Sequence, residues 1–188
     1  MNSAGVSTPC SALLLFGATG DLAKRMLLPS IFALHEDGLI AADLRIVGTT
    51  RSELSDEEYR SLAEEALAEY LPDDRRGNGQ LQTFLDRLSY HPLDASQADG
   101  FGGLAEKLGD ISGGLSIFLS TAPSLFEATI EGLKSAGLTG KNVRIGLEKP
   151  LGNNLATSDV INDAVAEAIL KNRLSGSTII LARKPSKT

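Results

Sequence analysis

The chain has 188 residues, 42% hydrophobic and 22% charged, with a formal net charge of −6; that is the make-up of one ordinary globular domain, or slightly more. Lys and Arg are scattered without a basic run, which argues against nucleic acid or an anionic membrane as a partner. The single cysteine, Cys10, leaves no internal disulfide and fits a reducing, cytoplasmic setting.

The N-terminal residues 1–11 carry no positive signal region, and Leu13–Phe16 is too short for a signal core or a membrane span. Ala12–Phe16 reads as a buried strand that runs into Gly17-Ala18-Thr19-Gly20-Asp21-Leu22 and then into a helical stretch, Leu22–Glu36, stopped at Gly38. Glycines three apart between a strand and a helix permit a sharp turn and a close backbone approach. The unpartnered amides and positive dipole of the helix start favour an anion there. Two readings follow, a phosphate cradle or a plain turn; the position, in the first strand-to-helix turn, favours the cradle. Asp21 reads as a helix cap.

Leu44–Gly48 is the second strand, ending in Thr49-Thr50-Arg51-Ser52. An Arg with neighbouring hydroxyls, where NAD-binding folds usually carry an acid, suits the 2′-phosphate of NADP. A solvated surface Arg is the alternative. Ser55–Tyr70 opens with capping-box spacing at Ser55 and Glu58, residues 72–79 form a polar loop, and Gln80–Leu88 reads as one more short helix. Ser89–Pro92 is the third strand, followed by Leu93 and Asp94; Asp94 also reads as a turn residue. Phe101–Leu108 is helical, Leu115–Ser120 is a strand, and Ser120–Pro123 is either a passage for a flat nicotinamide ring or a capped helix start. Pro123–Ala136, with Gly137 after it, is a helix. Val143–Leu147 is the fifth strand and leads to Glu148-Lys149-Pro150, where Lys149 is either a rim cation for phosphate or sugar hydroxyls, or an ion-paired loop residue. Ser158–Leu170 is the last expected helix.

This alternation predicts an α/β fold, a Rossmann-like doubly wound parallel sheet with helices on both faces. Ligands of such sheets sit beyond the carboxyl ends of the strands. That rule gathers Gly17–Leu22, Thr49–Arg51, Leu93–Asp94, Ser120–Pro123 and Glu148–Gly152 along one rim. His35 reads as solvated near a helix end and His91 as structural; no metal-ligand cluster and no convincing general base emerge.

Three of these segments resemble the coenzyme domain of the glucose-6-phosphate dehydrogenase family. They are Phe16–Lys24, similar to the family's G-A-S/T-G-D-L-A-x-K loop, Gly48–Arg51, and Ile145–Gly152, similar to its E-K-P-F/L-G segment. The resemblance spans about residues 11 to 167. It implies that Gly17, Ala18, Thr19, Gly20, Asp21 and Leu22 cradle the pyrophosphate of NADP, that Arg51 grips the 2′-phosphate, and that Lys149 reaches both substrate and coenzyme. Phe118 stands where some members place a Tyr near the coenzyme, and Leu93 and Asp94 are further candidate contacts. The family oxidises glucose 6-phosphate to 6-phosphogluconolactone, in the pentose phosphate branch of glucose metabolism, and its full-length members form homo-oligomers.

Two family features are not found in these residues: the R-I-D-H-Y-L-G-K-E motif and the C-terminal domain that supplies the catalytic His. Codons for Leu174–Ala182 can nevertheless be chosen so that a shifted frame reads F-R-I-D-H-Y-L-G. The expectation is therefore an NADP-binding domain over 12–168 and a frameshifted tail over 169–188, with no catalytic residue in the chain and the substrate domain missing. A non-catalytic NADP-binding module or redox-sensing partner subunit is the alternative, given the strand-like Thr178-Ile179-Ile180-Leu181. A short-chain reductase ranks last, because Tyr59, Tyr70 and Tyr90 have no Lys four residues later.

Overall fold

The computed structural model describes residues 10–71, 79–148 and 178–182. Six strands form one sheet: β1 (Ala12–Phe16), β2 (Arg45–Thr50), β3 (Leu88–Pro92), β4 (Leu115–Leu119), β5 (Val143–Glu148) and β6 (Thr178–Ala182). All neighbours pair in parallel, in the order β3-β2-β1-β4-β5-β6. The helices are α1 (Leu28–Glu36), α2 (Asp56–Tyr70), α3 (Leu81–Leu85), α4 (Phe101–Leu108) and α5 (Phe126–Ser135). No described helix is long and apolar enough to cross a membrane.

Side-chain alternation along the strands sends successive residues to opposite faces, and both faces are buried. Leu14 and Phe16 of β1 join Ile117 of β4 and Ile145 of β5 under Phe101 and Leu104 of α4 and Leu133 of α5. Leu15 of β1 joins Ile46 of β2 and Leu88 of β3 under Phe32 of α1, Ala63 and Leu67 of α2, and Phe84 of α3. Sheets covered on both sides need near-continuous apolar strands, which is why Ala12–Phe16 has no polar residue. The strand order reverses at β1: β2 and β3 lie to one side, β4 and β5 to the other.

Local chemistry sets several boundaries. Ser55 Oγ accepts the Glu58 amide at 3.1 Å and Glu58 Oε2 accepts the Ser55 amide at 2.7 Å, a complete capping box at the start of α2. The stretch predicted as one helix from Pro123 divides into a 3₁₀ turn, Pro123–Leu125, and α5. The helix predicted over 80–88 is shorter, because Leu88 already pairs with Ile46 as the first residue of β3. Thr178–Ala182 lies beside β5, with Arg144 opposite Thr178 and Glu148 opposite Ala182. The helix expected over Ser158–Leu170 lies outside the described residues.

His35 departs from expectation. It is 9% exposed, with its ring 6.2 Å from that of Phe32 and 5.6 Å from that of Phe84. Burial and the nearby Arg87 guanidinium hold its pKa below the ordinary value. The helix end is covered by α3, a contact across 48 residues that helical periodicity does not encode.

Candidate functional site

The turn after β1 sits at the carboxyl edge, where the strand order reverses. Gly17 has φ +74°, a conformation open to glycine at little cost. The Thr49 carbonyl at the end of β2 accepts the amides of Gly17 at 3.0 Å and Ala18 at 3.3 Å. On the other side, Ser120 Oγ donates to the Phe16 carbonyl at 2.6 Å. The turn closes through Gly20 N–H to Gly17 O at 2.9 Å and continues through Lys24 N–H to Gly20 O at 3.1 Å. A π-helical turn, Ala23–Leu27, then leads into α1, with the Leu28 amide reaching back to the Ala23 carbonyl. Single π turns inside helices often accompany functional sites.

Within the predicted cradle, Ala18 is buried while Gly20 and Asp21 are exposed. Ala18 therefore serves the turn itself, its side chain packed inward and its amide held by the Thr49 carbonyl. Asp21 does not cap the helix as expected: its carboxylate lies 3.6 Å from the Arg25 guanidinium, and no side-chain cap is made at this helix start. The cap position itself falls to Leu22, which has no side-chain acceptor.

Behind the turn stands Tyr59 of α2, 1% exposed. Gly48 makes room for it: a Cβ at Gly48 would lie 2.5 Å from Tyr59 Cζ and 2.8 Å from Ala18 Cβ. Tyr59 Oη is buried without a hydrogen-bond partner among the described residues, and burial pushes its pKa well above the ordinary value. A buried unsatisfied hydroxyl carries an uncompensated desolvation cost. Tyr59→Phe is accordingly expected to leave stability unchanged or raise it by about 1 kcal/mol, read as the midpoint of urea unfolding. A loss of comparable size would mean the hydroxyl has a partner.

Arg51 follows β2 directly and is exposed. The main chain around it is anchored. Tyr90 Oη bonds Thr50 Oγ1 at 2.6 Å and donates to Ser52 O at 2.8 Å. The Tyr90 amide donates to Asp56 Oδ1 at 2.7 Å, and Lys107 Nζ lies 2.9 Å from Asp56 Oδ2. Burial alone would raise the Asp56 carboxyl, but the Lys107 ammonium and the Tyr90 amide outweigh it and the pKa falls below the ordinary value. Tyr90, Asp56 and Lys107 were missed in the sequence, since three elements contribute them and no spacing links them.

The other predicted residues divide. Asp94 accepts the amide and hydroxyl of Ser96 at 3.0 and 2.6 Å, which with a smaller contribution from Arg51 lowers its pKa. It is a turn residue beside Arg51. Leu93 is 5% exposed and its amide donates to Thr50 O at 2.7 Å; its side chain belongs to the core, leaving only main chain to the rim. Phe118 pairs in register with Leu15 and Gly146 and packs half-buried beneath the α1–α2 face. Thr121 Oγ1, just past β4, is buried without a hydrogen-bond partner among the described residues. Lys149 lies outside the described residues. His91 Nε2 is 3.1 Å from Gly100 O, tying β3 to the start of α4.

A parallel sheet whose order reverses beside a glycine turn at its carboxyl edge defines a dinucleotide-binding domain of the Rossmann type. The family model described as glucose-6-phosphate dehydrogenase, NAD binding domain, matches residues 14–174. The chain belongs to this family. It is 49% identical over 164 residues to glucose-6-phosphate 1-dehydrogenase of Zymomonas mobilis, covering 87% of this chain and 34% of the relative. It is 39% identical over 155 residues to that of Dickeya dadantii, covering 82% and 31%. A crystal structure of glucose-6-phosphate 1-dehydrogenase from Mycobacterium avium superposes with a TM-score of 0.75 at 25% identity, over 93% of this chain and 36% of that one. The chain thus spans about a third of the length of the curated relatives it matches.

Proposed function

We propose that the chain is the coenzyme-binding part of an NADP-dependent glucose-6-phosphate dehydrogenase, acting with glucose 6-phosphate as substrate. One observation carries the coenzyme reading: Arg51 stands at the end of β2 on main chain clamped by Tyr90, two residues after the Thr49 carbonyl that holds the glycine turn. Within the Gly17–Leu22 turn the amides of Gly17, Ala18 and Gly20 brace the loop, those of Thr19, Asp21 and Leu22 would hold the pyrophosphate, and the Arg51 fork the 2′-phosphate. The partnerless hydroxyl of Thr121 fits a polar group at the nicotinamide end. Leu93 and Asp94 would flank the coenzyme through main chain and charge, Phe118 would lie below it, and Lys149 would reach coenzyme and substrate. Bound NADP supplies the acceptor for the hydride leaving C1 of the sugar. The proton of the C1 hydroxyl needs a base. Neither histidine of the chain offers one, since His35 is buried under α3 and His91 is tied to Gly100.

The 188 residues alone are therefore expected to bind NADP, more tightly than NAD, and to produce no NADPH from glucose 6-phosphate. Fluorescence titration with each coenzyme and absorbance of a turnover mixture check both. Tighter NAD binding, or steady NADPH formation, overturns the respective half.

In this reading 12–168 is the coenzyme domain, preceded by an extension over 1–11, and 169–188 comes from a shifted frame. A second reading, a non-catalytic coenzyme-binding module, draws on Thr178–Ala182 packing as a strand of the sheet. The coding DNA separates them: codons that cannot be shifted into F-R-I-D-H-Y-L-G favour the module.

A further inference from the structure

The amino ends of β2 and β3 frame a second feature that the coenzyme does not use. A cleft of about 280 Å³ opens there, lined by Arg45, Arg60, Arg87 and Lys107, with Asp43 and Asp86 also on its wall. Arg45 begins β2 and Arg51 follows its end. At roughly 3.3 Å per residue the cleft lies on the order of 20 Å from the coenzyme rim, at the opposite edge of the sheet.

The three guanidiniums are held in place by neutral partners. Arg45 donates through both Nη atoms to the carbonyls of Leu108 and Asp110, at the end of α4. Arg60 Nε donates to Leu88 O at 2.9 Å, and Arg87 Nη1 to Ala41 O at 2.8 Å. Among the described residues none of the three has a carboxylate within ion-pair distance. Lys107 differs, being compensated by Asp56 at 2.9 Å. Asp86 turns one oxygen to Gln82 at 2.9 Å. Three fixed guanidiniums therefore share the wall with two aspartates, and the Asp56 and Asp110 carboxylates act on Arg60 and Arg45 from beyond ion-pair distance, in a chain whose overall charge is −6.

Carbonyl anchoring orients each guanidinium without a direct ion pair among the described residues. The ordering cost that a flexible surface Arg would incur on binding is thereby already met in the free protein. Both Nη atoms of Arg45 are committed to carbonyls, so the bidentate match of a planar fork to phosphate oxygens falls to the edges of Arg60 and Arg87 that these bonds do not use. The volume is at the small end for ligand pockets, room for a phosphate or pyrophosphate group with little attached.

We propose that this cleft is a second anion site, taking a small phosphate-bearing molecule at the edge of the sheet opposite the coenzyme. The site does not depend on the coenzyme reading, because it uses neither Gly17–Leu22 nor Arg51.

Pyrophosphate tests it, titrated into the ¹⁵N-labelled 188-residue chain at constant ionic strength. Saturable amide shifts are expected at Arg45, Arg87, Ser89 and Lys107, with Kd at or below roughly 1 mM. Arg87→Gln is expected to weaken this binding about tenfold; Arg60→Lys, which keeps the charge and loses the fork, should weaken it less. The wild-type shift map stands by itself if either variant folds poorly. Inorganic phosphate and glycerol phosphate, run in parallel, separate a site for the free anion from one for its esters. Shifts confined to Thr19–Leu22, a non-saturating response at the cleft, or unaltered affinity in a folded Arg87→Gln chain overturns the proposal.

Discussion

Gly17→Ala is expected to destabilise the domain by about 2–4 kcal/mol and to remove measurable coenzyme binding. Two penalties add. A side chain at φ +74° is strained. The new Cβ would also lie 2.7 Å from Ser120 Oγ and 2.9 Å from Ser120 O, and the second of these is main chain at the end of β4 that cannot swing aside. Gly38→Ala separates the two effects. Gly38 has φ +66° with nothing within 4 Å of a built Cβ, so the dihedral strain acts alone and costs about 1–2 kcal/mol. Urea unfolding of both variants, with coenzyme titration, reads the difference. Equal destabilisation would mean that Ser120 does not brace the turn.

Arg51→Ala is expected to weaken NADP binding by about 1.5–3 kcal/mol, the range for hydrogen bonds to charged groups, or roughly ten- to a hundredfold. NAD binding should scarcely change, since NAD has no 2′-phosphate. Arg51 is exposed and its main chain is held by Tyr90 rather than by its own side chain, so unfolding is not expected to confuse the result. Parallel titrations of both coenzymes check it. An equal loss for both would assign Arg51 to the pyrophosphate or to folding, and an unaltered preference would take it out of the site.

Much of the architecture is legible because burial on two faces demands continuous apolar strands. Ala12–Phe16 and Leu115–Leu119 announce themselves by composition, and Ser55 with Glu58 marks the start of α2 by spacing alone. The glycine turn is legible for the same local reason, since its chemistry lies within six consecutive residues. Asp21 shows the limit: capping and ion pairing to Arg25 are both local options, and sequence does not rank them.

The supporting cast was illegible. Tyr90 braces Thr50 across 40 residues, and Asp56 reaches the Tyr90 amide across 34. Gly48 reads as an unremarkable strand residue until Tyr59 is seen against it. His35 passes for a solvated helix end until α3 covers it. Leu93 stands at the predicted rim, yet its side chain turns into the core because core burial outweighs the single-residue position.

By itself, the sequence determined the alternating strands and helices, the glycine turn after the first strand and the cation that follows the second. These are properties of short segments, set by periodicity, capping and backbone freedom. Only the tertiary structure decided what holds that turn and cation in place: the Thr49 and Ser120 bonds to the turn, the Tyr90–Asp56–Lys107 clamp beside Arg51, and the three guanidiniums gathered at the far edge. Those contacts join residues tens of positions apart, and strand order, which no local pattern encodes, brings them together.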